Sequence, residues 1–179
     1  MSLKNHFELM ARYNHWMNTK IYDASSQLGE SGLHADKGAF FKSVYGTLNH
    51  LMSGDTIWLK RFADHPTVFR ALEPVRPLPH PYSLARPLYG DFESLRMART
   101  SMDEVILALS VEATEADYVQ HLTYANSTGQ IFVDEFGPLM QHFFNHQTHH
   151  RGQVTTLLCQ AGVDVGVTDL VALVRQRAA

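Results

Sequence analysis

Apolar positions recur along this chain at steps of three and four, the period of amphipathic helices. From about Leu3 to Leu28 they fall at Leu3, Phe7, Met10, Ala11, Met17, Ile21, Ala24 and Leu28, and Gly29 follows where a helix would end. A second run, about Phe40 to Ala63, passes through Phe41, Val44, Leu48, Leu51, Ile57, Trp58 and Phe62. A third, about Asp91 to Leu109, repeats Phe92, Leu95, Met102, Val105 and Leu109, with Asp91 and Glu93 suited to the positive end of the helix dipole. The fourth begins at Pro138, whose missing N–H costs nothing in a first turn, and closes at Gly162. Thr168 to Arg177 predicts a short C-terminal helix.

Two segments break this period. Six of the seven prolines lie between Pro66 and Pro87, which excludes regular helix there and predicts a long ordered crossover. From Tyr118 to Phe136 the pattern alternates through Gln120, Leu122, Tyr124, Ile131 and Val133 around Asn126-Ser-Thr-Gly129, which predicts a short β-hairpin or extended excursion before the last long helix. No repeat or low-complexity stretch interrupts the chain. The expectation is therefore an all-α protein, a four-helix bundle forming one domain over residues 1–179.

The stripe of the fourth helix reads Leu139, Phe143, His146, His150, Val154, Leu157 and Ala161, so two imidazoles stand where core residues belong. A spacing of i, i+4 turns the two side chains by only about 40° relative to each other, and both rings can address one point. Satisfied core histidines are the alternative, but burying neighbouring imidazoles leaves several ring nitrogens in need of partners. The pattern favours a metal. Position 147 is Gln, so the glutamate general base of a His-Glu-x-x-His metalloprotease helix is missing. His50 on the second helix is the candidate third ligand. Gly46 and Gly54 flank it by one turn on each side, with Ser43 and Ser53 expected on the surface of the same helix, and the small residues suggest room around the ring.

Tyr13, Asn14, His142, His149 and Gln153 are candidates for lining a pocket or bonding to a ligand histidine. For Asn14, a bond to a neighbouring backbone group is the favoured account. Asp55 lies too far around its helix from His50 to share a metal and is expected to cap or pair locally. Arg151 is expected in an ion pair. Cys159, nine residues beyond His150, points about 180° away from it. No residue is assigned as catalytic.

A chain of 179 residues with 45% hydrophobic content can bury a core, and a net charge of −3 supplies no electrostatic footprint for nucleic acid. No apolar run reaches the length of a membrane span, and Met-Ser-Leu-Lys-Asn-His lacks the apolar centre of a signal peptide. A single cysteine excludes an internal disulfide and agrees with a cytoplasmic protein.

Three stretches carry a family resemblance: Ala11-Arg-Tyr-Asn-His-Trp16, Gly46-Thr-Leu-Asn-His-Leu51 with Asp55-Thr-Ile-Trp-Leu59, and Phe144-Asn-His-Gln-Thr-His-His-Arg-Gly-Gln153. The chain resembles the damage-inducible DinB family of metal-dependent bundle proteins, unrelated to the DNA polymerase of that name, over essentially its whole length. The resemblance implies an up-down-down-up bundle, a homodimer, and a divalent metal on His50, His146 and His150. It also implies thiol-dependent transferases and isomerases among related branches, which use a low-molecular-weight thiol such as bacillithiol or mycothiol.

Three neutral histidines would leave a cation its full charge and at least one open position, the arrangement of a catalytic site. Zinc and nickel suit such a set foremost, with iron, manganese and copper also admissible. The functional expectation is a metal-dependent enzyme with a small-molecule substrate, of thiol-dependent S-transferase or hydrolase type. The alternative is a non-enzymatic, metal-binding stress-response protein.

Overall fold

A computed structural model describes residues 1–81 and 86–176. The chain is mostly helical. Its elements are α1 (Leu3–Ser25), α2 (Gly29–His34), α3 (Val44–Phe62), α4 (Phe92–Glu112), α5 (Glu115–Tyr118), β1 (His121–Ala125), β2 (Ile131–Glu135), α6 (Phe136–Gln160) and α7 (Leu170–Gln176). Three of the long helices begin at capping side chains. Ser2 accepts from the Asn5 amide, Ser43 from Gly46 and Asp91 from Ser94. At the far end of α6, Gly162 takes a positive φ of 81°, and the Val163 amide folds back onto the Leu158 carbonyl.

The predicted boundaries need correcting where caps override periodicity. The first helix ends at Ser25 and passes through a 3-10 turn, Ser26–Leu28, into α2. The second starts at Val44, not Phe40, because Ser43 is its buried N-cap; Phe40 is 85% exposed and Phe41 belongs to the preceding loop. α4 runs one turn past Leu109, to Glu112. The proline-rich crossover holds a 3-10 helix, Arg70–Val75, with Pro74 inside it; 3-10 turns are short enough to tolerate this composition. Residues 82–85 of that crossover and Arg177 of the predicted terminal helix lie outside the described residues.

The excursion before α6 is an antiparallel hairpin pairing His121 with Glu135 through Ala125 with Ile131. Its turn is tied by Asn126, whose Oδ1 accepts from the Thr128 and Gln130 amides, and Gly129 adopts a φ of 82°. Leu122 is buried, whereas Ile131 and Val133 are exposed, so the hairpin seats mainly through β1.

α1 packs most extensively against α4 and α6, and α6 also packs against α3. Phe7, Phe62, Phe136, Phe143, Phe144 and Tyr118 form the aromatic centre of the core. A second, polar layer crosses all four long helices. Asp55 Oδ2 on α3 accepts from Arg99 on α4 and from Gln147 Nε2 on α6 at 2.9 Å. Arg99 Nη2 stands 2.8 Å from Asp103 Oδ1, and Asn14 and Asn18 of α1 donate to Asp103. Arg151 on α6 donates to Asn14 Oδ1. Asp55 therefore pairs across the molecule, not locally: its side chain is fully buried and points between α4 and α6. Arg151 meets an amide and the Tyr13 ring in place of the expected carboxylate; burial lowers its pKa to about 10, so it stays charged at neutral pH. Among the described residues no helix is long and apolar enough to cross a membrane.

Candidate metal centre

His50 reaches the site from the middle of α3, and His146 and His150 come from consecutive turns of α6. Contact between those helices brings together residues about a hundred positions apart. His50 Nε2 and His150 Nε2 are 3.1 Å apart, and one nitrogen from each of the three rings lies within 4.8 Å of the others. A tetrahedral zinc with Zn–N bonds of about 2.0–2.1 Å holds its nitrogens roughly 3.3 Å apart, so the closest pair already has ligand spacing. The donor set fits a divalent cation. His50 and His150 are buried and His146 is half-buried, which departs from a stripe expected to be buried throughout.

Burial depresses the pKa of His146 to about 3, with further lowering from His150 and His50; burial also lowers that of His150. Both rings are thus held neutral, the form that presents a lone pair to a metal. Among the described residues no carboxylate belongs to the cluster.

Gln153 orders the hydrogens around His150. Its Nε2 is 3.2 Å from His149 Nε2, and its Oε1 is 2.8 Å from His150 Nδ1. With the amide donating to His149, its oxygen accepts from His150 Nδ1–H, which leaves His150 Nε2 as a lone pair facing His50. This is the carbonyl-to-imidazole bond that typically fixes the tautomer of a metal-binding histidine.

The other predicted residues divide. His149 is exposed and reaches the centre through Gln153. His142 packs its ring edge to face with Trp58 at 4.9 Å and stands 6.3 Å from the His146 ring. Tyr13 donates to the Thr168 carbonyl at 2.7 Å, and Asn14 joins the Asp103 and Arg151 layer and not a backbone group. Cys159 is exposed, as its helical phase requires.

The glycines serve neighbours other than the His50 ring. A Cβ on Gly54 would come within 2.8 Å of His146 Cε1, so this glycine makes space for the second helix's ligand. A Cβ on Gly46 would lie 2.1 Å from the Phe41 carbonyl oxygen. Ser43 and Ser53 are buried, not on the surface. Phe41 itself was not anticipated at the site: it stacks on His50 with centroids 3.8 Å apart and meets His150 edge-on at 5.6 Å. The apolar pattern counts Phe41 into the second helix as a core position, and its place in the loop before the Ser43 cap is what brings it onto the histidines.

The comparisons with known proteins agree with this geometry. The DinB family profile matches residues 1–177. Protein DinB of Bacillus subtilis (strain 168) is 26% identical over 162 residues, covering 88% of this chain and 87% of that protein. No solved structure matches. With its family profile spanning nearly every residue, and with the histidines quoted from its motifs converging in space, the chain belongs to the DinB family.

Proposed function

We propose that this protein is a metal-dependent enzyme in which His50, His146 and His150 hold one divalent cation, zinc or nickel foremost, and leave a position open to a small molecule. The observation that carries the reading is the convergence of three imidazoles, with no carboxylate among the described residues of the cluster, around a His150 whose tautomer Gln153 sets. A cation there acts as a Lewis acid and lowers the pKa of a coordinated water or thiol. The protein's own groups do the rest: the three rings supply lone pairs, Gln153 holds the His150 proton away from the centre, and Phe41 covers one face of His50. The reaction class is thiol-dependent S-transferase or hydrolase chemistry, with a low-molecular-weight thiol as co-substrate in the first case. The same reading takes the four long helices as an up-down-down-up bundle, a single domain acting as a cytoplasmic homodimer.

The test begins with elemental analysis of protein purified without added metal. His50→Ala, His146→Ala and His150→Ala are each expected to lose most of the metal, while His142→Ala and His149→Ala keep it. Equal metal content in the wild type and the triple alanine variant overturns the site. A panel of thiols and electrophiles then tests the chemistry, with activity abolished by chelation and restored by divalent metal. An inaccessible cation without exchangeable water returns the non-enzymatic reading.

A further inference from the structure

Beyond the histidines, a cleft of about 500 Å³ opens between the C-terminal half of α3, the proline-rich crossover and the hairpin turn. Its walls include Lys60, Arg61, Asp64, Arg76, His80 and Tyr124. Three fixed cations face one acid there, in a protein whose net charge is −3. Lys60 and Arg76 build the wall. Lys60 Nζ donates to the Arg76 and Leu78 carbonyls at 2.9 and 2.6 Å, and Arg76 Nη2 donates to the Ala63 carbonyl at 2.8 Å. The carbonyl partners leave the charge of Lys60 uncompensated, whereas Arg76 is also paired with Glu73, its Nε 3.4 Å from Oε1.

Arg61 differs from both. Its guanidinium lies over the Trp58 ring at 4.6 Å and near the Tyr124 ring at 5.1 Å, and among the described residues no oxygen accepts from it and no carboxylate pairs with it. The two rings touch each other, with centroids 5.5 Å apart, and together form an aromatic corner against which the planar fork rests, its N–H groups without an acceptor among the described residues. Burial pushes its pKa below the ordinary arginine value, as expected for a cation with no compensating anion. Tyr124 is itself held by a 2.9 Å bond to Asp134 across the hairpin, so this aromatic corner is built on secondary structure.

We propose that this cleft is an oxyanion-binding site in which Arg61, resting against the adjoining Trp58 and Tyr124 rings, takes a carboxylate or phosphate group of a small molecule. A guanidinium fork matches both anions bidentately, and the surrounding cations supply an attractive field. The site adjoins the histidine cluster through ring contacts: Trp58 packs on His142, and His142 approaches His146. The protein's two tryptophans make the test direct. Trp16 on α1 contacts Tyr13 and Lys20 and is not among the residues that line the cleft, so Trp16→Phe leaves Trp58 as the sole indole reporter.

In that background, the full chain is titrated with inorganic phosphate and, separately, acetate at constant ionic strength, chloride being the balancing anion. A saturable change in Trp58 emission is expected, its larger affinity telling phosphate from carboxylate. Arg61→Gln should weaken binding at least tenfold with circular dichroism unchanged, and Arg61→Lys, which keeps charge but loses the fork, should weaken it several-fold. His146→Ala should bind as tightly as the parent. No saturable response, or equal affinity in both Arg61 variants, overturns the proposal. So does binding lost in His146→Ala but kept in Arg61→Gln, since the anion would then sit at the histidines; the metal content of each protein, measured in parallel, separates that result from failure of the metal reading.

Discussion

A single amide decides which nitrogen of His150 faces the other histidines, and a single hydrogen atom on Gly54 decides whether His146 can join them. Gln153→Leu is expected to lower metal affinity about ten- to a hundredfold, because the Nδ1–H loses the acceptor that fixes its tautomer. Competition against a chromophoric chelator measures it; unchanged affinity would remove Gln153 from the site. Gly54→Ala separates stability from binding. Alanine favours helix over glycine by about 1 kcal/mol, yet its Cβ would displace the His146 ring. The expected result is a melting temperature equal to or above that of the wild type, with metal occupancy sharply reduced. The spacing singled out Gln153 without saying which atom it would hold, and it pointed to glycines around the His50 ring, whereas Gly54 makes room for His146.

At the level of elements, the short α2 and α5 were not anticipated, whereas the four long helices and the C-terminal one were placed to within about a turn, since burial of one face imposes the 3.6-residue period directly. Their ends depended on caps and on contacts from elsewhere. The short α5 shows this, being held by Asp117, whose Oδ2 accepts from the Thr114 amide and hydroxyl while Oδ1 accepts from Thr67 at 2.6 Å. Burial pushes this carboxyl up, but the bonds from Thr67 and Thr114 outweigh it and hold the pKa below the ordinary value. A carboxylate depressed in the folded state adds stability above its unfolded pKa of about 3.9, and loses it as pH falls through the folded value. Asp117→Asn should therefore cost about 1–2 kcal/mol near pH 7. The difference in denaturant midpoint should close as the pH is taken below about 4; a constant gap would mean that charge plays no part.

Across the whole molecule, the four long helices are joined by the Asp55, Arg99, Asp103 and Arg151 layer as well as by the apolar core. Asp55→Ala should destabilise the fold by about 2–3 kcal/mol, because it leaves the buried Arg99 with Asp103 as its remaining carboxylate and removes the acceptor of Gln147. The double replacement Asp55→Leu with Arg99→Met should recover much of that loss in equilibrium unfolding, and a deficit as large as the single variant's would contradict the pairing. Sequence by itself determined the mostly helical architecture, the hairpin before the last long helix and the three histidines, because periodicity and i, i+4 spacing are properties of one element read in isolation. Tertiary structure alone decided that Asp55 faces Arg99, that Phe41 stacks on His50, and that Arg61 rests against aromatic rings from a helix and a hairpin. Each of these contacts joins groups on separate elements, and which faces meet is set by how the elements pack together, a choice no local pattern encodes.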